Sequence, residues 1–242
     1  MYRVSKRPDK DSSFFVVLEA KSVDILQAMK HIVLLGDSIF DNTVYVNGGP
    51  DVIKQLRSIL PQDWQASLLA VDGSVTTDAI TQIPLVPASA THLTVSAGGN
   101  DALSRADILE RPVGSVGAAV DQLAALRAEF HQNYRRMLNA LLALKLPLAL
   151  CTVYDPHFPD PLMQRLTTTA LNIFNDCILR EAITHGLPVL DLRLICTEAE
   201  DYANEIEPGM PGGKKIAAGI LKLVQNRNFS CDRAAVYKLG LK

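Results

Sequence analysis

The chain has 242 residues, 48% of them hydrophobic and 21% charged, and carries a formal net charge of −2. So even a balance leaves no electrostatic footprint for nucleic acid or an anionic membrane, and a small neutral or polar molecule is the expected partner. The length suits one α/β domain around a single large core.

Four cysteines, Cys151, Cys177, Cys196 and Cys231, stand far apart without metal-ligand or redox spacing. They are expected as reduced thiols in a cytoplasmic protein. No run approaches the roughly 18 to 20 apolar residues that a membrane helix requires. Near the start the apolar patch Phe14 to Leu18 is too short for a signal-peptide core.

Residues 1–28 are charged and irregular and are followed by a second methionine, Met29. They read as an over-extended start or as an arm packing on the sheet; the domain proper is expected over 29–226, and a tail over 227–242. HIVLLG (31–36) is the first of five strand-length aliphatic runs, followed by a short helical pattern from Asp51 to Leu60. QASLLAV (65–71) leads into a second, Val75 to Ile83, and THLTVSAG (91–98) into a long amphipathic stretch from Ser115 to Lys145. LPLALCTVY (146–154) precedes a helix from Pro161 to His185, and LPVLDL (187–192) precedes one from Lys214 to Asn226. Runs apolar on both alternating faces are strands covered on both sides, so the pattern predicts a five-stranded parallel sheet with right-handed crossovers. GMPGGKK (209–215) lacks the spacing of a phosphate loop and is set aside.

Parallel strands bring the residues after each one to a single rim, where such sheets bind ligands. Those residues are Asp37 and Ser38, then Asp72 and Gly73, then Gly98-Gly99-Asn100-Asp101, then Tyr154-Asp155-Pro156-His157. A hydroxyl beside backbone N–H groups and a side-chain amide has the composition of an acyl-transfer site, where preplaced donors hold the oxyanion of a tetrahedral intermediate. Taken singly, Ser38 and Asn100 read equally well as helix caps and Gly73 as a turn.

Together these blocks resemble the SGNH (GDSL-like) hydrolase family, over about His31 to Val224. Gly36-Asp37-Ser38 matches the family's first block, Gly73 its glycine block and Gly98-Gly99-Asn100-Asp101 its Gly-x-Asn-Asp block. The resemblance implies a flavodoxin-like three-layer α/β/α sandwich. It also implies Ser38 as nucleophile, with an oxyanion hole made by the Ser38 and Gly73 N–H groups and the Asn100 amide. It implies no metal and no organic cofactor. The pattern departs from the family at its last block, normally Asp-x-x-His-Pro, which here reads Asn204-Glu205-Ile206-Glu207-Pro208.

Glu207 therefore stands where a histidine base is expected. A desolvated Glu can accept a serine proton, and Asn204 in the aspartate position is expected to donate a hydrogen bond to it. His31, His92 and His185 belong at the opposite edge of the sheet, roughly 20 Å away for a six-residue strand. His131 reads as a solvated helix residue, and His157 alone lies on the correct rim. Three readings stand: a Ser38–Glu207 esterase, favoured because nucleophile and donors occur together; a weak or inactive ligand-binding relative; and a hydrolase using His157 as base.

Asp37, Asn42, Asp101 and His157 are candidate substrate contacts, with Asp41, Tyr45 and the loop Ala102 to Gly114 shaping the pocket. In that loop Leu103, Ile108 and Leu109 could face an acyl chain, and packing against the sheet explains them equally well. Asp37 and Asp101 would also suit a phosphorylated receiver domain, but no suitably placed lysine follows the fifth run.

Overall fold

His31–Gly36 forms β1, buried along its whole length because both of its faces are covered by helices. In the computed structural model, which describes residues 29–231 and 233–238, it pairs with β2 (Gln65–Leu68) on one side and β3 (His92–Ser96) on the other. Beyond β3 follow β4 (Leu148–Cys151), β5 (Pro188–Leu190) and β6 (Ala235–Tyr237), every pair parallel, in the order β2-β1-β3-β4-β5-β6. The readings made for residues 1–28 fall outside the described residues.

Among the described residues six helices complete the layers: α1 (Val52–Ile59), α2 (Thr76–Gln82), α3 (Gly99–Leu103), α4 (Val116–Leu142), α5 (Pro161–Thr184) and α6 (Met210–Asn226). Ile32 and Leu34 of β1 pack with Val52, Leu56, Ile216 and Ile220, so α1 and α6 share one face of the sheet. Val33 and Leu35, pointing the other way, meet Ala79, Phe130, Leu138 and Phe174, which places α2, α4 and α5 on the opposite face. The result is the expected three-layer sandwich.

The sheet has six strands rather than five. β6 arises within 227–242, where a tail is expected; three residues are too few to show a period, and only pairing with β5 defines the strand. Helix α6 begins at Met210, four residues before the expected Lys214, and so contains Gly212 and Gly213. Interior glycines cost a helix about 1 kcal/mol each, but a side chain is excluded by the backbone at Gly212 and closely approached at Gly213. A Cβ at Gly212 would lie 2.2 Å from the Asp201 carbonyl oxygen, and one at Gly213 would lie 3.0 Å from Gln55 Nε2. His131 is not solvated as expected: α4 against α5 brings its Nε2 to 2.6 Å from Oε1 of the buried Glu181. The cysteines are free thiols, as expected.

The chain reverses its direction across the sheet between β1 and β3, which opens a crevice beyond the carboxyl ends of these two strands. Gly36 ends β1 at that point with φ of +123°, and a Cβ on it would fall 1.6 Å from the Ser96 carbonyl oxygen of β3. Its N–H donates to Gln82 Oε1 and its carbonyl accepts from Gln82 Nε2, both at 2.8 Å, so a buried amide from α2 locks the turn that starts Ser38. Gly36→Ala is expected to destabilise the protein by more than about 3 kcal/mol, since it combines a forbidden dihedral with overlap onto the backbone. Urea unfolding followed by circular dichroism measures this directly.

Candidate active site

Ser38 sits two residues beyond β1, 6% exposed, with its Oγ donating to Glu207 Oε1 at 3.1 Å. Its backbone N–H and that of Gly73 enter no hydrogen bond among the described residues. Gly73 adopts φ of +78° in an exposed turn, a backbone state that glycine reaches without strain. From the end of β3, Asn100 Nδ2 donates to the Ser74 carbonyl at 3.0 Å, tying the Gly73 turn to the rim and leaving its second amide hydrogen available. Ser38, Asn100 and Glu207 line one cavity.

Glu207 arrives from a loop closed on itself. An antiparallel bridge joins Tyr202 to Pro208, and the Ala203 N–H donates to the Glu207 carbonyl at 2.8 Å. Asn204 Oδ1 accepts from the N–H groups of both Ile206 and Glu207, each at 2.9 Å. Asn204 thus orders the backbone of the loop and donates nothing to the Glu207 carboxylate, contrary to expectation. Its side chain is short enough to fold onto the next amides of its own turn, as Asn does in Asx-turns. Three further contacts fix the loop to the rim: the Tyr154 hydroxyl donates to the Ile206 carbonyl, the His157 N–H to the Glu205 carbonyl and Asn42 Nδ2 to the Pro208 carbonyl.

Burial sets the electrostatics. Desolvation pushes the Glu207 carboxyl up to about 7 against the stabilising hydrogen bond from Ser38, and the nearby Asp72 charge adds to the rise. Glu207 Oε2 is buried without a hydrogen-bond partner, which is the desolvation in structural form. Asp37 is 1% exposed, and burial raises it to about 8 despite the hydrogen bond from the Ile39 N–H.

The other candidates divide. Asp37 lines the cavity beside Ser38. Asn42 is fully buried away from it, both ends of its amide engaged: Oδ1 accepts from the Val52 N–H at the start of α1 while Nδ2 holds Pro208. Asp101 caps α2, accepting from Thr76 N–H and Oγ1. The His157 ring is exposed, stacks on Tyr202 at 5.6 Å and makes no hydrogen bond to Ser38. His31 and His92 bond at the far edge, to Ser89, Ser67 and Thr91. Tyr45 and Asp41 both bond Asp72.

Leu103, Ile108 and Leu109 line the cavity, and α5 supplies a further wall through Met163, Thr167, Ala170 and Phe174. That wall was present in the sequence as a stripe at helical spacing and carries no mark that separates it from ordinary core. Gln82 and Tyr154, which position the two key segments, are equally unmarked.

A model of the GDSL-like lipase/acylhydrolase family matches residues 34–209. No curated protein matches the chain. Among solved structures, a member of the lipolytic protein G-D-S-L family from Veillonella parvula DSM 2008 is 15% identical, with a TM-score of 0.61 over 82% of this chain and 100% of that one. A lipase from a goat rumen metagenome is 16% identical, with a TM-score of 0.62 over 83% and 100%. Phospholipase A1 from Streptomyces albidoflavus NA297 is 15% identical, with a TM-score of 0.56 over 82% and 99%. These likenesses establish the fold, and the family match over most of the length establishes more: the chain belongs to the GDSL-like lipase/acylhydrolase family, hydrolases that act on ester bonds.

Proposed function

We propose that the protein cleaves an ester or O-acyl bond through an acyl-enzyme on Ser38, with Glu207 as general base. The hydrogen bond from Ser38 Oγ to Glu207 Oε1 carries this reading. Ser38 Oγ attacks the ester carbonyl as its proton passes to Glu207, and the carbonyl oxygen gains the negative charge. The Ser38 N–H, the Gly73 N–H and the Asn100 amide supply donors for that oxyanion. Collapse expels the alcohol, which takes the proton back from Glu207. A water then repeats both steps on the acyl-enzyme, releasing the carboxylic acid.

An ordinary Glu, near 4.3, is a poor match for a serine hydroxyl at neutral pH. Burial lifts Glu207 to about 7, where it is half ionised at neutral pH and far better matched to its task. No member of the set requires a metal or an organic cofactor.

With short-chain p-nitrophenyl esters, Ser38→Ala is expected to reduce kcat/KM by about 10³-fold or more, and Glu207→Gln by about 10² to 10⁴-fold. His157→Ala is expected to stay within a few-fold of wild type. Full activity in Ser38→Ala would overturn the nucleophile. Loss in His157→Ala with retention in Glu207→Gln would move the base to His157, and binding of a labelled ester without turnover would favour a ligand-binding relative.

The pH dependence follows from the same burial. Ionised Glu207 is the base, so kcat/KM should rise with pH through a limb near 7, shared with Asp37 because the two carboxyls are coupled. A stopped-flow or steady-state pH profile reads this limb, and residual activity in Glu207→Gln should keep only the part that Asp37 contributes.

Stability runs the other way. Both carboxyls hold their protons more tightly folded than unfolded, so between their ordinary values and about 7 and 8 the native state binds more protons. Resistance to urea should therefore fall as pH rises from about 4 to about 8. Glu207→Gln should lessen that fall without abolishing it, because Asp37 remains.

A further inference from the structure

The cavity at Ser38 measures about 530 Å³ and extends from the catalytic end between the 3-10 segment Ala106–Glu110, α4 and α5. Its walls are aliphatic and aromatic, built by Ile108, Leu109, Leu123, Leu126, Leu171 and Phe174. Val153, Leu171 and Phe174 are nearly fully buried in the core beneath, which makes that side a fixed floor. A water occupies about 30 Å³ of liquid and a methylene is of similar size, so the space holds roughly a dozen carbons at loose filling.

Charge narrows the ligand further. Arg105 is the one cation among the described residues lining the cavity, and its guanidinium donates to Glu129 at 2.7 Å. The remaining titratable groups of the lining, the carboxyls of Asp37, Asp107, Glu110 and Glu207 and the Tyr154 phenol, are acids. An anionic group entering the cavity would meet no free cation to offset its desolvation.

The opposite side of Ser38 is polar and open. There the Tyr45 hydroxyl donates to Asp72, and the Asp72 N–H donates to Asp41 Oδ2 beside the exposed Gly73 turn. An acyl group stays on the enzyme between the two half-reactions while the alcohol must leave, so the apolar cavity suits the acyl chain and the exposed polar side suits the alcohol.

Building on the Ser38 reading above, we propose that the substrate is an uncharged ester carrying a single unbranched acyl chain of about ten carbons. The chain lies in this cavity, and Ala170 of α5 and Ala106 on the facing wall set how far it extends. Both are small residues of the lining, one on the 3-10 segment and one on α5; Ala106 is exposed and Ala170 partly exposed, so larger side chains at these positions project without overpacking the core.

The test is kcat/KM on p-nitrophenyl esters from acetate to palmitate with wild type, Ala170→Phe and Ala106→Trp. Wild type should gain about fourfold per methylene until the cavity is filled near decanoate, then level or fall. Each variant should lower the decanoate-to-butyrate ratio at least tenfold and move the optimum to a shorter chain. A decanoyl-length ester ending in a carboxylate should be at least tenfold poorer than decanoate. Ser38-dependent turnover that is flat or declines from acetate, a ratio unmoved in both variants, or equal use of the carboxylate-ended ester overturns the chain-binding proposal and leaves the hydrolase reading intact. Turnover of no ester, or turnover independent of Ser38, overturns both.

Discussion

The contact between Ser38 Oγ and Glu207 Oε1 joins residues 169 positions apart, and the precision of the rest of the molecule is directed at it. Proton transfer requires heavy atoms within about 3 Å, so each partner has to be fixed independently. Ser38 is fixed from below: β1 is buried on both faces, Gly36 presses onto the β3 backbone, and the Gln82 amide grips both polar groups of Gly36. Glu207 is fixed from around: its loop is closed by the Tyr202–Pro208 bridge and moored at the Glu205, Ile206 and Pro208 carbonyls by His157, Tyr154 and Asn42. Asn42 also accepts from the first N–H of α1, so one buried amide couples the segment after Ser38 to the loop carrying Glu207.

Burying that contact has two consequences of opposite sign. Removing water from Glu207 raises its proton affinity toward neutrality, which suits it to a serine hydroxyl, and the orphaned Oε2 shows how little compensates the charged form. The same desolvation makes the ionised state costly in the folded protein, and Asp37 compounds it as a second buried carboxyl one residue from Ser38. In the proposed mechanism the reactive form is therefore the less stable form of the native state. Enzymes commonly carry such local cost at their sites, offset by packing elsewhere. Here the offset is a pair of extensive apolar layers on the two sheet faces.

The fold was legible because its determinants are periodic: five aliphatic runs separated by amphipathic stretches specify a parallel sheet, and the rim residues follow from strand direction. β6 was not, because a three-residue strand has no period and exists through its pairing with β5. The start of α6 was hidden by Gly212 and Gly213, which oppose helix locally; the Asp201 backbone leaves no room for a side chain at Gly212, and Gln55 stands close to Gly213. The blocks that carry Ser38, Asn100 and Glu207 could be read, and the fold brings all three to one cavity. The roles of Asn42 and Asp101 could not: each is a polar residue beside a motif, and only its tertiary partners reveal a buried clamp in one case and a helix cap in the other.

Asn204 shows how the loop differs from one built around a histidine. An imidazole has two distinct nitrogens, so a carboxylate behind it is needed to choose the tautomer and stabilise the cation formed when it takes a proton. A carboxylate base has no tautomer to choose and becomes neutral on protonation, so a second acid behind it would only repel its charged form. What it still needs is a fixed position. In the proposed mechanism Asn204 meets that need by turning its carbonyl onto the backbone of Ile206 and Glu207, away from the carboxylate. Orientation that an aspartate would impose on a histidine side chain is imposed here on the main chain. The Glu207 carboxyl is left with Ser38 as its one side-chain hydrogen-bond partner among the described residues, and so with the desolvation that raises its proton affinity.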